Sequence, residues 1–315
     1  MRYHTRVSFR EPAVANALRT FLTIPLVWRA KWRDRKVQRC GITSLAAVAI
    51  FRQEAPFLNE WLEFHRAMGV SHFYLYNNFS TDDFRAVLRP WVESGVVTLY
   101  EWPVKTGQLA AYWHCVRRHA MHHRWLAFFD IDEFLFSPTG KSVVEVLEPY
   151  GDLPGLFVDS PFFGAAGHAE RPAAPTTRAF TRRAPLTRTS VKTIANPRWI
   201  YAMRNVHAFK FLRGEALNTA RGPLEPRKVR LDLLRLNHYW SRSLADLGDK
   251  IARGDASTPH PRDPTWHLDF ERSLNEEEDL SIIHILDRIA KSESSPTRTP
   301  ETTKEPLRPR AERRR

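Results

Sequence analysis

Cysteine is nearly absent: Cys40 and Cys115 are the only two in 315 residues, and they form no metal-spaced pair. No small-residue cleavage site follows an apolar core segment near the start, so reduced thiols in a cytoplasmic compartment are the expectation. No apolar run is long and unbroken enough to span a bilayer; residues 13–28 come nearest, but Arg19 and Pro25 interrupt them. There is no internal repeat. Excess charge is also missing from the body of the chain. Of the net +13, residues 1–39 carry +8 (ten Lys/Arg against two acids) and residues 291–315 carry +4 (eight against four), leaving +1 for residues 40–290. A near-neutral body excludes a nucleic-acid partner as the reading of the high net charge.

What is present fits a folded enzyme, with 43% hydrophobic residues and 10 Trp. Three regions are expected: a basic N-terminal extension over 1–39, one globular domain over 40–290, and a disordered basic tail over 291–315, rich in Ser, Pro, Thr, Glu and Arg. In the extension, Val14, Leu18, Phe21, Leu22, Ile24, Leu26, Val27 and Trp28 precede Arg29, Lys31, Arg33, Arg35 and Lys36. Two readings stay open for it: an interfacial helix drawn to anionic lipid at the inner face of a membrane, and a helix that merely packs on the domain.

From Leu45 the pattern alternates. Strands are predicted at Leu45–Phe51, His72–Tyr76, Val96–Trp102 and Trp125–Phe129. Helices intervene from Pro56 to Met68, through Leu88 and Trp91, and over Gln108–Arg124. This βαβαβαβ order predicts an α/β fold with a mainly parallel, Rossmann-like sheet flanked by helices and right-handed crossovers. After residue 150 the rhythm breaks. A long loop over the site is expected across Pro161–Arg188, and regular structure returns with Lys228–Leu236. A capped helix should start at Ser243 with Asp246 and end near Gly254, and a last one should start at Asn275 with Glu278.

Chemistry concentrates at the end of the fourth strand, in Trp125-Leu-Ala-Phe-Phe-Asp130-Ile-Asp132-Glu133-Phe134. Ligands of parallel sheets sit beyond the strands' carboxyl ends, so Asp130 and Asp132 are delivered to a candidate active site. In an extended chain residues i and i+2 face one way, and both carboxylates would meet one hard cation, Mn²⁺ or Mg²⁺, together with substrate phosphates. A phosphatase of the haloacid dehalogenase type also uses a D-x-D at a strand end. It wants Thr or Val two residues after the second Asp, on the first core strand, whereas Phe134 on the fourth strand fills that place here. A non-catalytic, membrane-associated carbohydrate-binding protein is the other alternative.

Three further stretches join this one. Phe51-Arg-Gln-Glu-Ala-Pro-Phe-Leu-Asn-Glu-Trp, Tyr76-Asn-Asn-Phe-Ser-Thr-Asp82 and Asn237-His-Tyr-Trp240 with Ser243, Lys250, Arg253 and Gly254 resemble, with the D-x-D, the glycosyltransferase 2-like proteins related to family 92. Phe163-Gly164, Gly167-His168, Lys192-Thr193-Ile194, Pro197 and His207 extend the likeness over roughly residues 45–255. Gln53 stands where these proteins commonly have Asn, and Arg242 where Lys is common.

The resemblance implies a GT-A fold and a metal-dependent transfer of a sugar, with inversion, from a nucleoside-diphosphate donor (a UDP-sugar) to a glycan or glycoconjugate acceptor. It implies Asp132 on the metal, Asp130 on it through water or on the ribose, and His238 as a third ligand. Arg52, Glu54, Asn77, Asn78 and Asp82 would meet base and ribose, and Lys192, Lys250 and Arg253 the diphosphate. Glu133 and Asp159 are the candidate bases, with Glu133 alternatively orienting the metal ligands. Trp240 or Trp199 would either stack on a sugar ring or pack in the core. His119 and His123 share a zinc-compatible i, i+4 spacing, but a basic, solvent-facing helix is the favoured reading.

Overall fold

The computed structural model describes residues 13–225 and 228–294, with side chains from residue 25 to 291. The tail expected over 291–315 and the first residues of the extension lie largely outside the described residues.

The elements run α1 (Ala13–Arg39), β1 (Leu45–Phe51), α2 (Ala55–Ala67), β2 (Val70–Asn77), α3 (Phe84–Glu93), β3 (Val97–Glu101), α4 (Gln108–His119), β4 (Trp125–Phe128) and β5 (Glu133–Phe136). Then come α5 (Val143–Leu147), β6 (Gly155–Phe163), α6 (Thr176–Ala179), β7 (Arg182–Arg183), β8 (Thr189–Ala195), β9 (Ile200–Met203) and β10 (Phe209–Phe211). The chain closes with β11 (Arg235–Tyr239), α7 (Leu244–Arg253), α8 (Pro264–Arg272), β12 (Glu277–Glu278) and α9 (Ser281–Ser294).

The first four expected strands form the parallel part of the sheet, in the order β3-β2-β1-β4. All seven residues of β1 are buried because helices cover both faces. Side chains alternate across the strand, so Phe73 and Leu75 of β2 enter one core with Trp61 and Leu62 of α2, while Tyr74 and Tyr76 enter the other with Tyr112 and Phe128. Beyond β4 the sheet becomes mixed: β8 runs antiparallel between β4 and β6, and β7 and β12 follow. The architecture is α/β as expected, with a parallel half and a mixed half.

Several expectations need correction. Helix α4 stops at His119 because the carbonyls of Ala120 and His123 turn inward to accept from the Arg198 guanidinium, at 2.7 Å each. His119 and His123 are buried, not solvent-facing: Tyr100 Oη lies 2.8 Å from His119 Nε2 and Tyr74 Oη 2.9 Å from His123 Nε2. Burial pushes their pKa values down, to about 4 and about 3. Residues 161–163 belong to β6, so the irregular segment starts at Gly164 and holds α6 and β7. Asn275 opens no helix. Its Oδ1 accepts from Ala166 N at 2.8 Å, Glu277–Glu278 pair with β7, and α9 starts at Ser281 after Asp279 Oδ1 accepts its amide.

The boundary at residue 39 also moves. Ala30, Asp34 and Val37, spaced along one face of α1, are buried against the domain. Asp34 Oδ1 accepts from Arg124 Nη1 at 2.5 Å, from Arg198 Nε at 2.9 Å and from Asn196 Nδ2 at 2.9 Å. The second half of α1 is therefore a structural part of the globular unit, not a separable extension.

Candidate active site

The acidic turn is built by long-range pairing. Asp130 closes β4, Ile131 and Asp132 form a tight turn in which Glu133 N donates to Asp130 O at 3.1 Å, and the chain re-enters the sheet as β5. Trp61 of α2, fully buried, clamps this turn by donating from Nε1 to Glu133 O (2.9 Å) and Asp130 O (3.2 Å). Strand β11 pairs antiparallel with β5 and sets His238 opposite Glu133.

Because 130–132 is a turn, the extended i, i+2 geometry does not hold, although both carboxylates border one cleft. Asp130 accepts from Gln108 Nε2 at 2.9 Å and from Lys192 Nζ at 2.6 Å, so both its oxygens are taken. Asp132 accepts from Lys250 Nζ at 2.6 Å through Oδ2 only; its Oδ1 is buried without a hydrogen-bond partner. His238 lies between the acids, with Nε2 3.5 Å from Asp132 Oδ2 and Nδ1 3.3 Å from Glu133 Oε1. Burial works against all these charges. Lys192 overcomes it for Asp130, and Lys250 with His238 for Asp132, whose carboxyl is held well below the usual range. For Glu133 burial wins and its pKa is raised.

Glu133 is 0% exposed. Its Oε2 accepts from Asp130 N at 2.9 Å and lies 3.1 Å from Lys192 Nζ. A side chain so enclosed holds the turn and cannot reach an acceptor hydroxyl, which corrects its candidacy as the base. Asp159 is corrected as well: its Oδ2 accepts from Arg230 N at 2.9 Å, and it lines neither of the clefts described next.

Two clefts meet at the acidic turn, sharing Arg52, Asp132, Trp240, Lys250 and Arg253. One, about 250 Å³, reaches Gln108, Asp130, His207 and His238. The other, about 470 Å³, reaches Phe57, Phe79, Arg171 and Asp249. Trp240 thus lines both clefts. Trp199 does not; it is a core residue under the Arg213 guanidinium, 4.1 Å from its ring.

The side chains expected to read base and ribose mostly build the walls. Asn77 donates to Glu101 Oε2 at 2.6 Å and accepts from Ser80 N at 3.0 Å. Asn78 donates to Trp102 O and Val104 O, and Asp82 Oδ2 caps α2 by accepting from Ala55 N at 2.8 Å. Glu54 is buried between Arg242 (2.7 Å) and Arg253. Arg52 alone of this set is exposed, its Nη1 donating to Arg253 O at 3.0 Å and its guanidinium 6.0 Å from the Phe79 ring. Lys192 and Lys250 face carboxylates inside the fold, so both hold the acidic turn as well as adding positive charge to it.

Residues that carry the site without having been assigned to it are Gln108, His207 and Arg242. Arg242 forks between Glu54 and the Ile131 carbonyl (3.0 Å) while its guanidinium lies 3.4 Å from the Phe57 ring, a combination a lysine's single ammonium could not make. Gln53, Phe79 and Arg242 all adopt left-handed backbone, at φ 56°, 63° and 52°, and all line the larger cleft. Asn tolerates that region better than Gln. Here Gln53 Oε1 accepts from Thr81 N at 2.6 Å and ties the loops after β1 and β2 together.

The glycosyltransferase family 92 profile matches residues 48–287, which takes in both clefts and every element around them. The chain belongs to glycosyltransferase family 92. Among curated proteins it is 33% identical over 156 residues to "Glycosyltransferase family 92 protein Os08g0121900" of Oryza sativa subsp. japonica, covering 48% of this chain and 26% of that one. It is 32% identical over 101 residues to "Galactan beta-1,4-galactosyltransferase GALS2" of Arabidopsis thaliana, covering 29% and 19%. The chain thus spans about a quarter or less of the length of these relatives. Solved structures similar to it include GalNAc-T7 with UDP, GalNAc and Mn²⁺ (TM-score 0.37, 10% identity, 80% of this chain and 57% of that chain). S. aureus TarS 1-349 with UDP is another (TM-score 0.34, 11% identity, 49% and 47%). Such low scores carry no argument about ligands.

Proposed function

We propose that this family 92 chain transfers a sugar from a nucleoside-diphosphate donor, a UDP-sugar, to a glycan or glycoconjugate acceptor, with inversion and with a divalent cation. The observation that carries this reading is the buried acidic turn where two clefts join, one for the donor and one for the acceptor. Among the described residues no three His, Cys, Asp or Glu side chains converge as a closed metal cage. The donor set fits an open one. Asp132 Oδ1, buried and unpartnered, and the imidazole of His238 would hold the cation, leaving positions for diphosphate oxygens and water. Bound there, Mn²⁺ or Mg²⁺ would neutralise charge on the leaving diphosphate. Arg52, Lys250 and Arg253 line both clefts and add positive charge.

Incubation with a panel of nucleotide sugars and Mn²⁺, read by released UDP or GDP, tests the assignment. Release that stops on chelation is expected. Release from no donor, or release indifferent to chelator, overturns it.

In the transfer, the acceptor oxygen bonds to the anomeric carbon, the bond from that carbon to the diphosphate breaks, and the acceptor's proton passes to a base. Asp249 of α7 is the base we assign. Of the carboxylates lining the clefts, Glu54, Asp130, Asp132, Asp246 and Asp255 are each paired with Lys or Arg. Asp249 is exposed to the larger cleft, and no hydrogen bond or ion pair of it occurs among the described residues. Asp249→Asn should lower kcat by about 10²–10⁴-fold and leave UDP affinity unchanged. A variant with wild-type kcat would release Asp249 from this role.

A further inference from the structure

The inward face of α1 is accounted for by Ala30, Asp34 and Val37; its outward face has no apolar partner among the described residues. Trp28 and Trp32, one turn apart, are 68% and 62% exposed, and Leu26 is exposed beside them. Tryptophans this open are costly in water unless something covers them. Lys31 Nζ lies 5.9 Å from the Trp28 ring and Lys36 Nζ 5.6 Å from that of Trp32, so each ring is flanked by an ammonium. These four residues, with Arg35 and Arg39, border a groove of about 460 Å³. Asp34 is the only acid between residues 25 and 40, and it is turned inward to Arg124 and Arg198. No acid among the described residues of this helix therefore faces out.

We propose that this face docks on an anionic membrane surface, with Trp28 and Trp32 seated among the headgroups and Lys31, Arg35, Lys36 and Arg39 on the lipid phosphates and carboxylates. Charge complementarity selects the occupant. Tryptophan rings beside lysine and arginine on one helix face match the boundary between water and hydrocarbon, where an aromatic ring finds apolar cover and a cation finds negative charge. A nucleic acid would want a track of cations running on over the domain, and residues 40–290 carry a net charge of only +1. No described helix is long and apolar enough to cross a membrane, so the contact is peripheral. Asp34 anchors α1 to Arg124, at the start of β4, while Asp130 follows the end of that strand. At about 3.3 Å per residue, the acidic turn stands about 20 Å along β4 from the anchored helix. Docking would therefore fix the enzyme to the bilayer by the end of the sheet remote from its clefts, leaving them open to donor and acceptor.

The test uses the full chain and co-sedimentation with phosphatidylcholine vesicles, with and without phosphatidylserine, at low and high salt. Binding is expected only with phosphatidylserine and should weaken with salt. Substituting Lys31→Gln and Lys36→Gln together should cost about 25-fold in partitioning, from about fivefold for each basic residue near an anionic surface. Trp28→Ala with Trp32→Ala should also lower binding and abolish quenching of protein fluorescence by brominated lipid. Donor turnover, which involves none of these residues, should stay at the wild-type rate in every variant and reports an intact fold. Equal binding to both vesicle types, no binding, or tryptophan substitutions without effect overturns the proposal. Duplex DNA that displaces the vesicles and binds regardless of the two tryptophans would assign the face to nucleic acid instead.

Discussion

Asp132→Asn should lower sugar transfer by about 10³-fold while the domain stays folded. Asp132 lines both clefts and, unlike Asp130, keeps a buried oxygen free of any hydrogen-bond partner, and its carboxylate lies beside His238 where the two clefts join. Losing the charge removes the group proposed to hold the cation, and an electrostatic contact to a developing charge in a dry site is worth about 10²–10³-fold or more. Stability should change little, because Lys250 keeps a second acceptor, the Trp240 carbonyl at 2.7 Å, and the turn keeps its clamp on Trp61. Titration calorimetry with UDP and Mn²⁺, alongside a melting curve, measures both effects. Unchanged binding of UDP and Mn²⁺ in a variant that melts normally would take Asp132 out of the site.

How much of this could be read from the chain depends on the range of the interactions. The strands and helices from Leu45 to Phe128 were legible because each is specified by its own apolar period, and the acidic turn followed from its place after β4. β5 and β11 were not. Glu133–Phe136 and Arg235–Tyr239 are short, and each is a strand because the other pairs with it across a hundred residues of chain. The same holds for the roles of polar side chains. Glu54 looks like a ligand for ribose until Arg242, 188 positions later, occupies it. Asn77, Asn78 and Asp82 look alike in sequence whether they face a nucleotide or close a loop, and only their partners at Glu101, Trp102 and Ala55 separate these uses. Asp249 gave no signal at all, being one acid on an ordinary amphipathic helix. What marks it is that the other carboxylates around it are taken.

Asp34→Asn should destabilise the whole domain by about 3–5 kcal/mol, the cost of leaving a buried charge without its counter-charge. Asp34 is the acid between two buried guanidinia, and the Arg198 side chain has 0% exposure. The Asn variant keeps the shape and one acceptor, so the loss isolates the charge from the packing. Burial alone would raise the Asp34 pKa, but Asn196, Arg124 and Arg198 together hold it below its ordinary value. A carboxylate depressed in the folded state stabilises fully above the unfolded pKa of about 3.9 and loses that contribution as pH falls through the folded value. The gap between wild type and variant should thus be widest above about pH 4 and close on further acidification, as read by urea denaturation across pH. A chain truncated at residue 39 should suffer more, since it loses Ala30 and Val37 from the interface as well as Asp34. That makes deletion the wrong instrument for testing the membrane face of α1 and point substitution the right one. If Asp34→Asn matched the wild type in urea, the paired guanidinia would be neutralised by some other route, and the first helix would be dispensable to the fold.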